Sequence, residues 1–189
     1  LGRALVFSWD GVSWVPLGSP IIGEEDDEDT NFGAAIAISH DGTVIAVGAN
    51  GKAIWQSGHV KIVEWNGTDW VQRGRIIQGE AGGDEFGVSV ALSGNGTILA
   101  VGANGNDGIN QEDAGHCRVF VWGGATWTQL GSDIDGEFLD DRSGTSVSLS
   151  SDGSVVAVGA IWNDQVGKLS VGHCRVFVLD GNDWKQKGA

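Results

Sequence analysis

The stretch that decides the fold reads Phe-Val-Trp-Gly-Gly-Ala-Thr-Trp and occupies residues 120–127. Three related stretches, each ending on a tryptophan, occupy residues 7–14, 63–70 and 177–184. The unit that repeats is therefore about 57 residues long. A repeat in this range of lengths is typical of solenoids, propellers and arrays, in which each unit stacks on its neighbours to bury its apolar surface. The chain is therefore predicted to be a tandem array of one supersecondary unit.

Other motifs recur at the same or nearly the same spacing. The dipeptide Gly-His returns every 57 residues, at 58–59, 115–116 and 172–173. The tetrapeptide Ala-Val-Gly-Ala returns in the same order, at 46–49, 100–103 and 157–160. Four short β segments fit between these markers in each repeat, separated by Asp-Gly or Asn-Gly turns that favour tight hairpins. No segment has the period of a helix.

Four antiparallel strands in tandem form the blade of a β-propeller. We therefore predict an all-β fold of tandem four-stranded antiparallel blades, about 3.5 in number, as a partial ring or an open array. The predicted units are a half-blade of third and fourth strands at 1–22 and three blades at 23–79, 80–136 and 137–189. Known propellers have at least about four blades. The partners expected are further blades of a longer chain or other copies of this one.

The composition excludes some classes of partner. The chain carries 25 acidic and 11 basic residues, a formal net charge of −14. Such a surface repels phosphate backbones and anionic lipid, so no nucleic-acid partner is expected. No apolar run approaches the roughly 20 residues of a membrane span, so no membrane insertion is expected.

Aromatic residues divide into two groups. Seven of the nine tryptophans flank the last hairpin of a repeat, where cross-strand aromatic pairs stabilise the turn. Trp55 and Trp162 instead lie in the variable loop between the second and third strands. These two are the candidates for contact with a ligand.

The two cysteines, Cys117 and Cys174, occupy the same repeat position. Stacked sheets lie about 10 Å apart, whereas a disulfide needs Cα atoms within about 7 Å. Two buried free thiols are therefore expected.

Short motifs in the first two complete blades resemble those of a known family. Asn31-Phe32-Gly33 followed by Gly48-Ala49-Asn50 resembles the FG-GAP repeat of the integrin α-subunit propeller, as does Glu85-Phe86-Gly87 followed by Gly102-Ala103-Asn104. The third copy, which reads Ser143-Gly144, lacks the phenylalanine. The resemblance is closest to tandem arrays of secreted microbial and algal proteins. It implies a propeller-type fold, an extracellular or cell-surface location and a role in adhesion or binding.

The resemblance does not carry a metal site with it. Integrin-type repeats hold calcium in a loop between the first two strands, but here that loop is a tight turn with too few oxygen ligands. His59, His116 and His173 repeat without a second ligand at metal-binding spacing, so structural hydrogen bonding is expected. Weak calcium binding remains an alternative for carboxylates at the blade junctions, which are Glu24–Asp29, Glu80, Asp84, Glu85, Glu137, Asp140 and Asp141.

No catalytic triad, phosphate loop or nucleotide motif is present, so neither enzymatic activity nor a cofactor is expected. Two Asn-Gly-Thr sequons fall on hairpin tips and make Asn66 and Asn95 candidates for N-glycosylation. The function expected is a non-catalytic extracellular structural or adhesion module that assembles head to tail into a fibre or a larger surface protein. The alternative is a carbohydrate- or protein-binding, lectin-like propeller.

Overall fold

The computed structural model describes residues 2–24, 30–51, 53–107, 112–164 and 168–188, and all regular structure in that part is β. Its strands are β1 (Arg3–Ala4), β2 (Phe7–Trp9), β3 (Trp14–Pro16), β4 (Ile21–Ile22), β5 (Phe32–Ile38), β6 (Val44–Ala49), β7 (His59–Trp65), β8 (Trp70–Gln72), β9 (Ile77–Gln78), β10 (Ser89–Leu92), β11 (Ile98–Ala103), β12 (His116–Trp122), β13 (Trp127–Gln129), β14 (Ile134–Asp135), β15 (Ser143–Leu149), β16 (Val155–Ala160), β17 (His173–Asp180) and β18 (Asp183–Gln186). None of the described residues forms a helix with the length and apolar character needed to cross a membrane.

The strands assemble into three antiparallel blades and a smaller N-terminal unit. The strand orders are β5-β6-β7-β8, β10-β11-β12-β13 and β15-β16-β17-β18. The short strands β9 and β14 add to β7 and β12. The N-terminal unit consists of the β2–β3 hairpin and the β1–β4 pair. The prediction of tandem four-stranded antiparallel blades is confirmed.

The hydrophobic core lies between blades rather than within one blade. One cluster joins Val44 and Ile62 of the first blade to Phe86, Leu99 and Val101 of the second. A second cluster joins the second and third blades in the same way, and a third joins the N-terminal unit to the first blade. Strand β6, the second strand of the first blade, is buried along its whole length because neighbouring sheets cover both of its faces. Each unit therefore depends on its neighbours for its core.

Glycine in the Ala-Val-Gly-Ala motif lets neighbouring blades approach closely. A Cβ on Gly48 would lie 2.1 Å from the carbonyl oxygen of Gly87, and one on Gly102 would lie 1.9 Å from that of Gly144. No larger residue fits at these positions unless the backbone moves.

The first hairpins of successive blades are also linked. The backbone N–H of His40 donates to the carbonyl of Gly94 at 2.9 Å, and that of Gly94 donates to Ser151 at 2.7 Å. Within each turn one acidic or amide side chain accepts several hydrogen bonds. Bonds from Ser150 and Ser154 lower the pKa of Asp152 to about 2.

Candidate functional site

The tryptophan at or near the start of each fourth strand forms a hydrogen bond to the preceding unit. The indole N–H groups donate to backbone carbonyls in the pairs Trp70 and Leu17 (2.9 Å), Trp127 and Arg73 (2.9 Å), and Trp184 and Leu130 (2.8 Å). A glycine with positive φ follows each acceptor, and the indole rings pack on it. A Cβ on Gly74 would lie 2.7 Å from Trp122 and 3.0 Å from Trp127. We call this repeated contact the tryptophan–glycine joint.

One half of a joint is exposed at the N-terminal end. Trp14 occupies the donor position but has no carbonyl partner among the described residues, and its side chain is 66% exposed. The ring of Trp9 lies 5.6 Å from that of Trp14, and Phe7, Trp9, Ile36 and Ile38 are exposed as well. The counterparts of the two isoleucines in the second blade pack against the core instead. These five residues form the N-terminal end face.

The other half of a joint is exposed at the C-terminal end. Gly188 has a positive φ of 89° and no described atom within 4 Å of where a Cβ would stand, whereas its counterparts Gly18, Gly74 and Gly131 each contact an indole. The carbonyl of Lys187 takes the place of the three acceptors. A groove of about 330 Å³ opens here, lined in part by Cys174, Val176 and Lys187. We call Cys174, Val176, Lys187 and Gly188 the C-terminal end face.

The cysteines show the effect of a missing neighbour. Both thiols are free, as expected, and Cys117 is fully buried beneath the third blade. Burial raises the pKa of the Cys117 thiol to about 12. The prediction that both thiols are buried is wrong for Cys174, which is exposed because none of the described residues packs over it on β17 as the third blade packs over Cys117.

His116 and His173 lie in ion-pair networks, with their Nδ1 atoms 3.6 Å from Asp133 and 3.7 Å from Glu137. Ligand atoms of Glu80, His116 and Asp133 lie within 4.8 Å of one another. Burial lowers the pKa of His116, an effect that nearby Asp133 opposes. The Arg118 guanidinium lies 3.4 Å from Glu80 and 3.8 Å from Asp133. A cation already placed between these carboxylates disfavours a second one, so the cluster suits an internal ion pair better than a metal ion.

The same network recurs in the other blades. Lys61 lies 2.8 Å from Glu24, and Arg175 lies 3.9 Å from Glu137. Each basic residue stands two positions after a histidine. The pattern His-x-Lys or His-x-Arg is therefore the sequence signal for this network, and a search for metal ligands alone does not detect it. Its repetition indicates a structural role.

The blade-junction carboxylates include two that are buried. Asp84 accepts the backbone N–H of Ala81 at 2.8 Å. Asp141 accepts bonds from Glu137, Phe138 and the amide of Asn163, at 2.9 to 3.0 Å. These side chains organise the junctions through hydrogen bonds. The predicted calcium alternative also involves residues 25–29, which lie outside the described residues.

A polar cavity lies where loops of three blades meet. Its volume is about 260 Å³, and its lining includes Asn50 of the first blade, Glu85 and Asp113 of the second, and Arg142 of the third. The Asn50 amide donates to Glu85 at 3.3 Å, and Arg142 donates to Asp113 at 2.5 Å. The ring of Trp162 lies 5.5 Å from the Arg142 guanidinium. We call this cavity the loop-face cavity.

Three residues of this cavity adopt a backbone conformation that side chains rarely take. The φ angles of Glu85, Asp113 and Arg142 are 58°, 54° and 56°. Positive φ is uncommon outside glycine and costs about 1 to 3 kcal/mol per residue, and such residues cluster at functional sites. The loop-face cavity is therefore the leading candidate for a ligand site.

One of the two tryptophans predicted to contact a ligand lines a cavity, and the other contacts a residue of one. Trp55 is 79% exposed and lines a cavity of about 240 Å³ together with Gln56 and Gln78. Trp162 is 49% exposed, and its ring packs against Arg142, which lines the loop-face cavity. The lining of the loop-face cavity comes from separate blades, so the sequence did not reveal it.

Both sequon asparagines are exposed on turns. The side-chain oxygen of Asn66 accepts bonds from Thr68 and Asp69, and that of Asn95 accepts bonds from Ser93 and Thr97. These bonds use the amide oxygen, and a glycan is attached through the nitrogen. N-glycosylation at the two sites stays a prediction.

Comparison with known sequences supports the repeat assignment. Residues 70–120 match the family model of the FG-GAP repeat, so the resemblance seen in the sequence is confirmed. The FG-GAP repeat suggests a β-propeller-type binding module. A comparison with curated proteins finds no match to the chain.

Solved structures share the fold. A candidate 6-phosphogluconolactonase from Bacteroides uniformis is 13% identical over 98% of this chain and 50% of its own, with a TM-score of 0.64. Sqt1 of Saccharomyces cerevisiae is 13% identical over 85% of this chain and 35% of its own, with a TM-score of 0.52. A prolyl endopeptidase is 14% identical over 99% of this chain and 26% of its own, with a TM-score of 0.54. The chain spans half or less of the length of these proteins, and at such identities the likeness concerns the fold alone.

Proposed function

We propose that the chain is a non-catalytic extracellular structural or adhesion module whose end faces bind further copies of the chain head to tail. Assembly of this kind leads to a fibre or to part of a larger surface protein. The observation that carries the proposal is that the two end faces expose opposite halves of the joint that holds the internal blades together.

The internal joints show how two copies would meet. The indole of Trp14 would rest on Gly188 of the next copy and donate its N–H to the carbonyl of Lys187. Phe7, the counterpart of Phe177, would pack against Cys174 and Val176, as Phe177 of the third blade packs in the cluster that contains Cys117. Because the two surfaces differ, the contact is heterologous, and it builds an open fibre unless the rotation between copies closes a ring.

Other features support the proposal. Phe7, Trp9 and Trp14 are exposed together on the β2–β3 hairpin, and an exposed apolar cluster of this kind is typical of a site of association. The extracellular location and the adhesive role follow from the family resemblance. The solved fold of the Bacteroides protein has about twice the length of this chain, which leaves room for a second copy in a closed arrangement.

Complementary variants test this proposal directly. Trp14→Ala disables the N-terminal end face, and Gly188→Ala adds a methyl group to the C-terminal one. Neither variant should assemble alone, but an equimolar mixture should form a dimer that cannot grow, since one intact face of each kind remains. Gly124→Ala serves as the control, because Gly124 also has a positive φ and no described atom near its Cβ position. Equal assembly by both single variants and the wild-type chain would overturn the proposal.

The second candidate function is a carbohydrate- or protein-binding propeller. The observation in its favour is the loop-face cavity, in which polar and charged side chains of three blades meet. It does not compete with head-to-tail association, because its residues lie on loops and not on the end faces.

A further inference from the structure

We propose that the loop-face cavity binds one residue of a neutral saccharide through Glu85, Asp113 and Arg142. This inference rests on the second candidate function and identifies its site and its class of ligand.

The charged groups of the cavity are specific to one junction. The position before each Phe-Gly or Ser-Gly pair is Asn31 in the first blade, Glu85 in the second and Arg142 in the third, and all three have positive φ. Asparagine tolerates this conformation better than glutamate or arginine does. The two later blades therefore carry less suitable residues at the same place, and both of them line the loop-face cavity.

Hydrogen-bonding capacity within the cavity matches hydroxyl groups. A carboxylate offers about four acceptor positions, and a guanidinium offers five donors. The described bonds of Glu85 and Arg142 use part of this capacity, and the Nε atom of Arg142 is buried without a hydrogen-bond partner. Each sugar hydroxyl both donates and accepts, so adjacent hydroxyls can bind a carboxylate and a guanidinium together.

Charge and size narrow the class of ligand further. Two carboxylates against one guanidinium leave the cavity negative, which disfavours phosphate, sulfate and acidic sugars. The volume of about 260 Å³ lies just below the usual range of about 300 to 1,000 Å³ for small-molecule pockets, so it suits a single sugar ring. Ile54, which lines the cavity and is 83% exposed, provides apolar surface for the carbon–hydrogen face of that ring.

The test is saturation-transfer NMR of the 189-residue chain with the methyl glycosides of glucose, galactose, mannose and N-acetylglucosamine. Binding of at least one glycoside is expected. Glu85→Asn and Arg142→Asn, which introduce the residue that the first blade carries, should each weaken binding at least about tenfold while the chain stays folded by circular dichroism. Arg75→Asn, which removes an exposed guanidinium outside the cavity, should leave binding unchanged.

Three results would count against the proposal in different ways. Binding that survives both cavity variants but is lost in Trp55→Ala would place the sugar in the neighbouring cavity, which overturns this site and keeps the carbohydrate-binding function. Equal loss in Arg75→Asn would show a nonspecific charge effect and overturn the site. No signal with any glycoside would overturn both the site and that function.

Discussion

Replacing Gly74 with alanine tests the tryptophan–glycine joint at an internal junction. Gly74 has a φ of 79°, and an added Cβ would lie 2.7 Å from Trp122 and 3.0 Å from Trp127. The matched control is Gly124→Ala, where φ is 92° and no described atom lies within 4 Å of the new Cβ. Both variants place a side chain in the left-handed region, and only the first also displaces two indoles.

The expected magnitudes follow from these contacts. The left-handed conformation costs each variant about 1 to 2 kcal/mol. Overpacking adds about 1 to 3 kcal/mol at Gly74, where the displaced indole also weakens the bond from Trp127 to Arg73. We therefore expect Gly74→Ala to lower the free energy of unfolding by about 2 to 5 kcal/mol and Gly124→Ala by about 1 to 2 kcal/mol.

Urea unfolding followed by tryptophan fluorescence measures both values on the same chain. Because the joint holds two blades together, Gly74→Ala is also expected to change the cooperativity of the transition. If the two variants lose the same stability, to within about 0.5 kcal/mol, the indole contact does not hold the blades together and the reasoning is refuted.

Three further results are expected. In a dilute solution of the folded chain, a thiol reagent should modify Cys174 alone and should reach Cys117 only after denaturant is added. Rapid modification of both thiols in the folded chain would contradict the packing of the third blade over Cys117. The pKa of Asp152 is lowered from 3.8 to about 2, so its stabilising effect is complete above about pH 4 and disappears as the pH falls to about 2. Asp152→Asn should therefore flatten the loss of stability over that range, and an unchanged slope would argue against it. Mass spectrometry of native material should find a glycan at Asn66 more often than at Asn95, whose turn is bonded to neighbouring turns through Gly94, and the reverse order would contradict this.

The fold could be predicted because its information is local and repeated. Asp-Gly and Asn-Gly turns, alternating apolar residues and a constant spacing define the blade before any long-range contact is known. The repeat also predicted that most tryptophans belong to the structural framework. Trp70, Trp127 and Trp184 do so, because each donates a hydrogen bond to the preceding unit.

Features that depend on neighbouring units could not be predicted in the same way. Cys117 and Cys174 have nearly the same local sequence, but only the first has a blade packed over it. The grouping of Glu85, Asp113 and Arg142 depends on how the second and third blades pack together. Trp162 was identified as a candidate because it departs from the repeat, but its arginine neighbour could be found only in the structure.

The most direct test of head-to-tail assembly is sedimentation velocity of the wild-type chain over a wide range of concentration. The account predicts a mass that rises with concentration beyond that of the 19.7 kDa monomer, and a return to monomer in Trp14→Ala. A chain that stays monomeric at every concentration would contradict the account, because the exposed halves of the joint would then have no affinity for each other.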